Sequence, residues 1–98
     1  MEKYKNKLRE LGFSPEIEGY WYILDTVDYI KRNENTLPIF HQVNVFSYIA
    51  EKRGSTYSKV ERAVRHSIER SYKNGYLSMY SVKPTMKRFL MDFLTGNI

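Results

Sequence analysis

Residues 55–75, STYSKVERAVRHSIERSYKNG, decide the fold. Val60, Ala63, Val64, Ser67, Ile68, Ser71 and Tyr72 recur at i, i+3, i+4, i+7, i+8, i+11 and i+12. That spacing gathers small and apolar side chains on one helix face, suited to packing on a core. The opposite face carries Arg62, Arg65, His66, Glu69 and Lys73, with Lys59 and Arg70 at its edge. Gly75 stands where a left-handed residue would end the helix. Upstream, Ala50, Gly54 and Val60 have the spacing of a helix-turn-helix. A small residue lets two helices approach, a glycine makes the turn, and an apolar residue anchors the second helix. The pattern predicts a helix-turn-helix over about 43–75, with its second helix over about 57–74.

The polar face has its own logic. Glu61 with Arg65, and Glu69 with Lys73, are i,i+4 pairs in the favourable order. Each contributes only about 0.2–0.5 kcal/mol. Lys59, Arg62 and Arg70 have no acidic residue four positions along. Such a face either sits in water or meets a polyanion. Unpaired cations on the first turns of the second helix suit phosphate and guanine.

Charge placement favours the polyanion. The 98-residue chain carries a formal net charge of +5. Residues 1–49 hold six Lys/Arg and seven Asp/Glu, a net −1. Residues 50–98 hold ten Lys/Arg and four Asp/Glu, a net +6. The basic excess lies in the half that holds the basic helix.

The length fits one domain able to bury a core without staples. There is no cysteine, so no disulfide framework is expected, which fits a reducing compartment. No apolar run approaches a membrane span. The first thirteen residues, MEKYKNKLRELGF, are charged throughout and lack a signal-peptide apolar region. A soluble, cytoplasmic protein is expected, with no cofactor, no metal and no membrane partner.

The rest of the chain reads as helices. Tyr4, Leu8 and Leu11 mark a first helix, stopped at Gly12. Ser14-Pro15-Glu16 is a turn or helix start. Tyr20, Ile23, Leu24, Val27 and Ile30 mark a second helix to about Arg32. Lys31 to Pro38 is a polar loop, and a third helix lies between Ile39 and Arg53, with Val45, Phe46, Ile49 and Ala50 inward. Residues 76–83 are a connection with local helix or strand. Pro84-Thr85 opens a last helix with Phe89, Leu90, Phe93 and Leu94 inward. The fold expected is all-α, a compact bundle of about five or six short helices. Trp21, Phe46, Phe89 and Phe93 are expected in the core, whereas Tyr57 either meets a phosphate or caps the core.

Against this background one resemblance becomes specific. Ser58, Lys59, Val60, Glu61, Arg62, Ala63, Val64, Arg65, His66, Ser67, Ile68 and Glu69 stand in an order that resembles the recognition-helix run of the sporulation-initiation response regulator family, stage zero sporulation protein A. LGFSPEIEGYWYILDTV resembles that family's opening helices, and KPTMKRFL the start of its last helix. The resemblance spans nearly the whole chain. It implies a DNA-binding effector domain of a bacterial transcription regulator, reading a short box in double-stranded DNA, often as tandem copies. By position it implies base reading by Lys59, Glu61 and Arg62. Arg65 and His66 would fall at or near the DNA backbone, with Ser55, Thr56, Tyr57 and Ser58 approaching phosphates and Lys83 flanking them. Arginine grips guanine O6 and N7 with two hydrogen bonds, whereas lysine at 59 keeps charge without the fork. Glu61 either accepts from a cytosine amine or closes a capping box, Ser58-x-x-Glu61.

Two departures stand out. The chain is too short, and lacks the alternating strand and helix pattern, for the family's phosphorylated receiver domain. The connection from Gly75 to Lys83 is also shorter than the family's. An enzyme is not expected: His41 and His66 are far apart, and there is no glycine-rich phosphate loop and no G-x-S-x-G. Asp25 and Asp28 share a helix face and read as solvated. The rival to DNA reading is a stand-alone interaction module that binds or antagonises a related regulator.

Overall fold

Five helices follow one another in the structure, a computed structural model that describes residues 1–33 and 42–98. They are α1 (Glu2–Glu10), α2 (Glu18–Arg32), α3 (Gln42–Lys52), α4 (Tyr57–Lys73) and α5 (Met86–Thr95). All regular structure among the described residues is helical, as the periodicity predicts. Most of the loop expected at 31–38, the beginning expected for the third helix, and His41 lie outside the described residues.

The longest helix organises the rest. α4 packs against α2, α3 and α5. Its inner face buries Val60, Val64, Ser67, Ile68 and Ser71, as the spacing requires. Around it close Leu8, Tyr20, Ile23, Phe46, Leu77 and Phe89, all essentially inaccessible. Each such apolar side chain contributes about 1.5–3 kcal/mol on burial. The small residues of α4 have a purpose. A Cβ built on Gly19 of α2 would overlap Ser67 Oγ and lie 2.8 Å from the Ala63 carbonyl oxygen. The two helices therefore approach to backbone contact. One turn on, the Ser71 hydroxyl donates to the Leu11 carbonyl at 2.5 Å, tying α4 to the end of the α1 segment.

The α3–α4 connection is short. Ser55 N–H donates to the Ala50 carbonyl at 2.8 Å and Gly54 N–H to Glu51 at 3.3 Å. With Gly54 at φ 64° this is a Schellman ending. Two residues on, Thr56 is extended and caps α4, its hydroxyl accepting from Lys59 N–H at 3.2 Å. Ser58 therefore lies inside the helix, and the capping box Ser58-x-x-Glu61 does not form. At the other end Gly75 takes φ 87° and stops α4 as expected.

Three further expectations need correction. Trp21 is 38 % exposed rather than buried. Tyr20, Ile23, Leu24 and Val27 occupy the inner face of α2, so the indole lies at its edge. There it stacks edge-on against Tyr20 and donates to the Pro15 carbonyl at 2.7 Å. Residues 76–83 form turns and bends, with neither helix nor strand. Glu69 pairs with Lys83 at 2.8 Å rather than with Lys73, because the chain returning to α5 brings an ammonium to it across the fold.

Candidate nucleic-acid interface

The outward face of α4 begins at its first turn. Val60 and Val64 anchor this end of the helix in the core, with no exposure. That fixes which way their neighbours point. Lys59 and Arg62 are exposed and carry no ion pair among the described residues. Ser58 and Thr56 are exposed beside them, and Ser55 is half-buried in the turn. This cluster of hydroxyls, main-chain N–H groups and cations sits at the positive end of the helix dipole.

One turn further the charges are partly engaged. Arg65 Nε donates to Glu61 Oε1 at 2.9 Å, the i,i+4 pair expected from spacing. Glu61 therefore lies along its own helix, held by Arg65 rather than folded back on Ser58. His66 is exposed. The hydrogen bond from Lys83 lowers the Glu69 pKa, with Arg65 and His66 adding smaller effects. Lys83 thus reaches α4 and stands on the same side as Arg65. The two line a cleft of about 160 Å³ with Ile68 and Pro84 at the start of α5. Tyr57 is half-buried: its ring faces Phe46 and its hydroxyl lies 3.1 Å from the Gln42 side-chain amide, which donates to it. It covers the α3–α4 contact.

The residues named from sequence therefore form one surface along the first half of α4, joined by Lys83 from the far end of the chain. Among the described residues Lys59 and Arg62 carry no ion pair, while Arg65 and Lys83 are paired and Tyr57 is turned toward α3.

A second group was not legible as functional. Asp25, which read as solvated, is buried on α2 and receives Arg53 in a fork, Nε to Oδ2 at 2.7 Å and Nη2 to Oδ1 at 2.8 Å. Lys52 Nζ lies 3.9 Å from the same carboxylate. One turn earlier Tyr22 donates to Glu18 at 3.1 Å. Burial raises the Tyr22 pKa and Glu18 adds to it, against a lowering hydrogen bond from Ser55. The signal available was the setting of Asp25, between Leu24 and Val27 on an otherwise apolar face.

The family model described as Sporulation initiation factor Spo0A C terminal matches residues 4–88. The chain belongs to this family. The family is the DNA-binding domain of the sporulation regulator. The match takes in α1 through the first turn of α5, and so includes every residue of the surface just described. No helix among the described residues is long and apolar enough to cross a membrane.

Proposed function

We propose that this member of the Spo0A C-terminal family is a sequence-specific double-stranded DNA-binding regulator of transcription, with α3, the Gly54 turn and α4 as its helix-turn-helix. α4 enters the major groove by its N-terminal half. Arg62 reads a guanine by two hydrogen bonds, and Lys59 reads an adjacent acceptor as a point charge. Glu61, aligned by Arg65, turns its remaining lone pairs toward a cytosine amine. Ser55, Thr56, Ser58 and the first N–H groups of α4 meet phosphates. Arg65, His66 and Lys83 flank the backbone, and Tyr57 keeps the turn in shape while presenting its hydroxyl edge. A second copy on a tandem site is the expected arrangement on DNA, and the cytoplasm the expected place.

The observation that carries this is the state of Lys59 and Arg62. Both are exposed and carry no ion pair among the described residues, on the first turns of a helix whose other face buries Val60, Val64, Ser67, Ile68 and Ser71. The test is selection of bound sites from a random duplex pool. A short recovered motif is the expected result. Weak, uniform binding without a motif would reduce the surface to nonspecific charge. Salt-insensitive binding to a related regulator, with no DNA retained, would instead establish the interaction module.

A further inference from the structure

The Gly54 turn is held to one face of α2 through the residue before it. Glu18, Tyr22 and Asp25 fall at i, i+4 and i+7 on that helix. Asp25 grips Arg53, the residue before Gly54, through the two-bond fork. One turn before Asp25 on the same face, Tyr22 is buried and donates to Glu18 at 3.1 Å. Only Thr56 then separates the turn from α4. α4 has its other attachment to α2 at the Gly19 crossing, against Ala63 and Ser67. Lys59 and Arg62 lie on the N-terminal side of that crossing. Val60 and Val64 hold the N-terminal half of α4 in the core by apolar contact, which is not directional, and the fork on Arg53 adds a directional constraint at the turn that enters the helix.

We propose that Asp25, acting through Arg53, is a positioning residue for DNA reading: it sets the angle at which the N-terminal half of α4 meets the groove. The inference rests on α4 being the base reader. The carboxylate side chain is 10 % exposed and touches no DNA-facing residue, whereas Arg53 is 41 % exposed. A two-hydrogen-bond guanidinium–carboxylate pair fixes direction as well as distance. Base hydrogen bonds weaken steeply with misalignment, but phosphate attraction hardly depends on angle. Loosening this fork therefore separates the two kinds of binding.

The experiment compares Asp25→Asn, Arg53→Gln and the double variant with the parent, on the parent's selected site and on unrelated duplex. Circular dichroism and thermal melting establish that each is folded at the binding temperature. Asparagine is isosteric, and the released Arg53 has access to water, so folding is expected to survive. Arg53→Lys keeps the charge but gives up the two-bond fork, and serves if Asp25→Asn does not fold. The expected result is about a tenfold loss on the selected site, unrelated duplex unchanged within about twofold, and an unaltered salt slope, since no phosphate contact is lost. The double variant is expected to bind no worse than either single one, because both break the same pair.

A specificity ratio unchanged in Asp25→Asn would overturn the proposal and leave Asp25 a merely structural residue. So would Arg53→Gln weakening all duplexes alike and flattening the salt slope, which would make Arg53 itself a phosphate contact. If the parent recovers no motif, the base-reading role of α4 fails and this inference fails with it. If the parent has a motif that the variants keep at full strength, this inference fails alone.

Discussion

Arg62 and Lys59 stand three residues apart on α4, on the same side of the first turns, and neither is occupied by a carboxylate among the described residues. Their roles differ by chemistry. Arg62→Ala is expected to lower specific DNA affinity by about 1–3 kcal/mol and to relax preference at one base position. Binding to the selected site and its single-base variants measures both, and equal affinity for all of them in parent and variant would remove Arg62 from base reading. Lys59→Arg restores a planar fork, so discrimination at its position is expected to sharpen several-fold, read from the same set of duplexes. At this scale the sequence was legible where side-chain identity decides. The Glu61–Arg65 pair formed because it needs only a helix. The Glu69–Lys73 pair did not, since Lys83 competes for the same carboxylate from a distance in sequence that periodicity does not see. The cap moved for a related reason. Thr56 and Ser58 are equally good cap residues, and the Schellman ending at Gly54 leaves Thr56 as the first extended one.

Helix contacts turn on a few small residues. At the crossing of α2 and α4, Gly19→Ala is expected to destabilise the chain by about 1–3 kcal/mol, the range for overpacking, despite alanine's better helix propensity. The obstacle is more than the Ser67 hydroxyl: the main-chain Ala63 carbonyl oxygen lies at 2.8 Å, and Ser67 Cβ, which alanine keeps, at 2.7 Å. Adding Ser67→Ala removes only the hydroxyl, so rescue in a denaturant titration is expected to be partial. Full rescue would show that the backbone approach is not limiting. α5 carries a second test. Asp92 accepts from Tyr80 at 2.6 Å and from Arg88 at 2.9 Å. The Tyr80 hydrogen bond, with Arg88 and the Asn97 side chain adding to it, lowers the Asp92 pKa. A carboxyl whose folded pKa is lowered stabilises above its unfolded value, near 4, and that stability is lost as pH falls through the folded value. Asp92→Asn is therefore expected to cost about 1 kcal/mol at neutral pH and to flatten the acid limb of the melting temperature. An acid limb of unchanged slope would count against the role.

Over the whole molecule the charge is divided, −1 in residues 1–49 and +6 in residues 50–98. Because α4, the turn and the start of α5 share one surface, much of that excess is presented together. Binding to DNA is therefore expected to weaken steeply with salt. Neutralising about five phosphates gives a loss on the order of several hundredfold between about 50 and about 200 mM. A slope near zero, measured by anisotropy on one duplex across that range, would exclude phosphate contact as the main source of affinity.

The chain's periodicity alone determined the helices, the inner face of α4 and the cationic outer face, because these depend on residues three and four apart. Only the tertiary structure decided which charges stay free. Lys83, remote in sequence, was brought to Glu69, and Asp25 was drawn into the interior to hold Arg53. The physical reason is that an ion pair forms between whichever opposite charges the packing brings within reach. Packing joins segments that lie far apart along the chain.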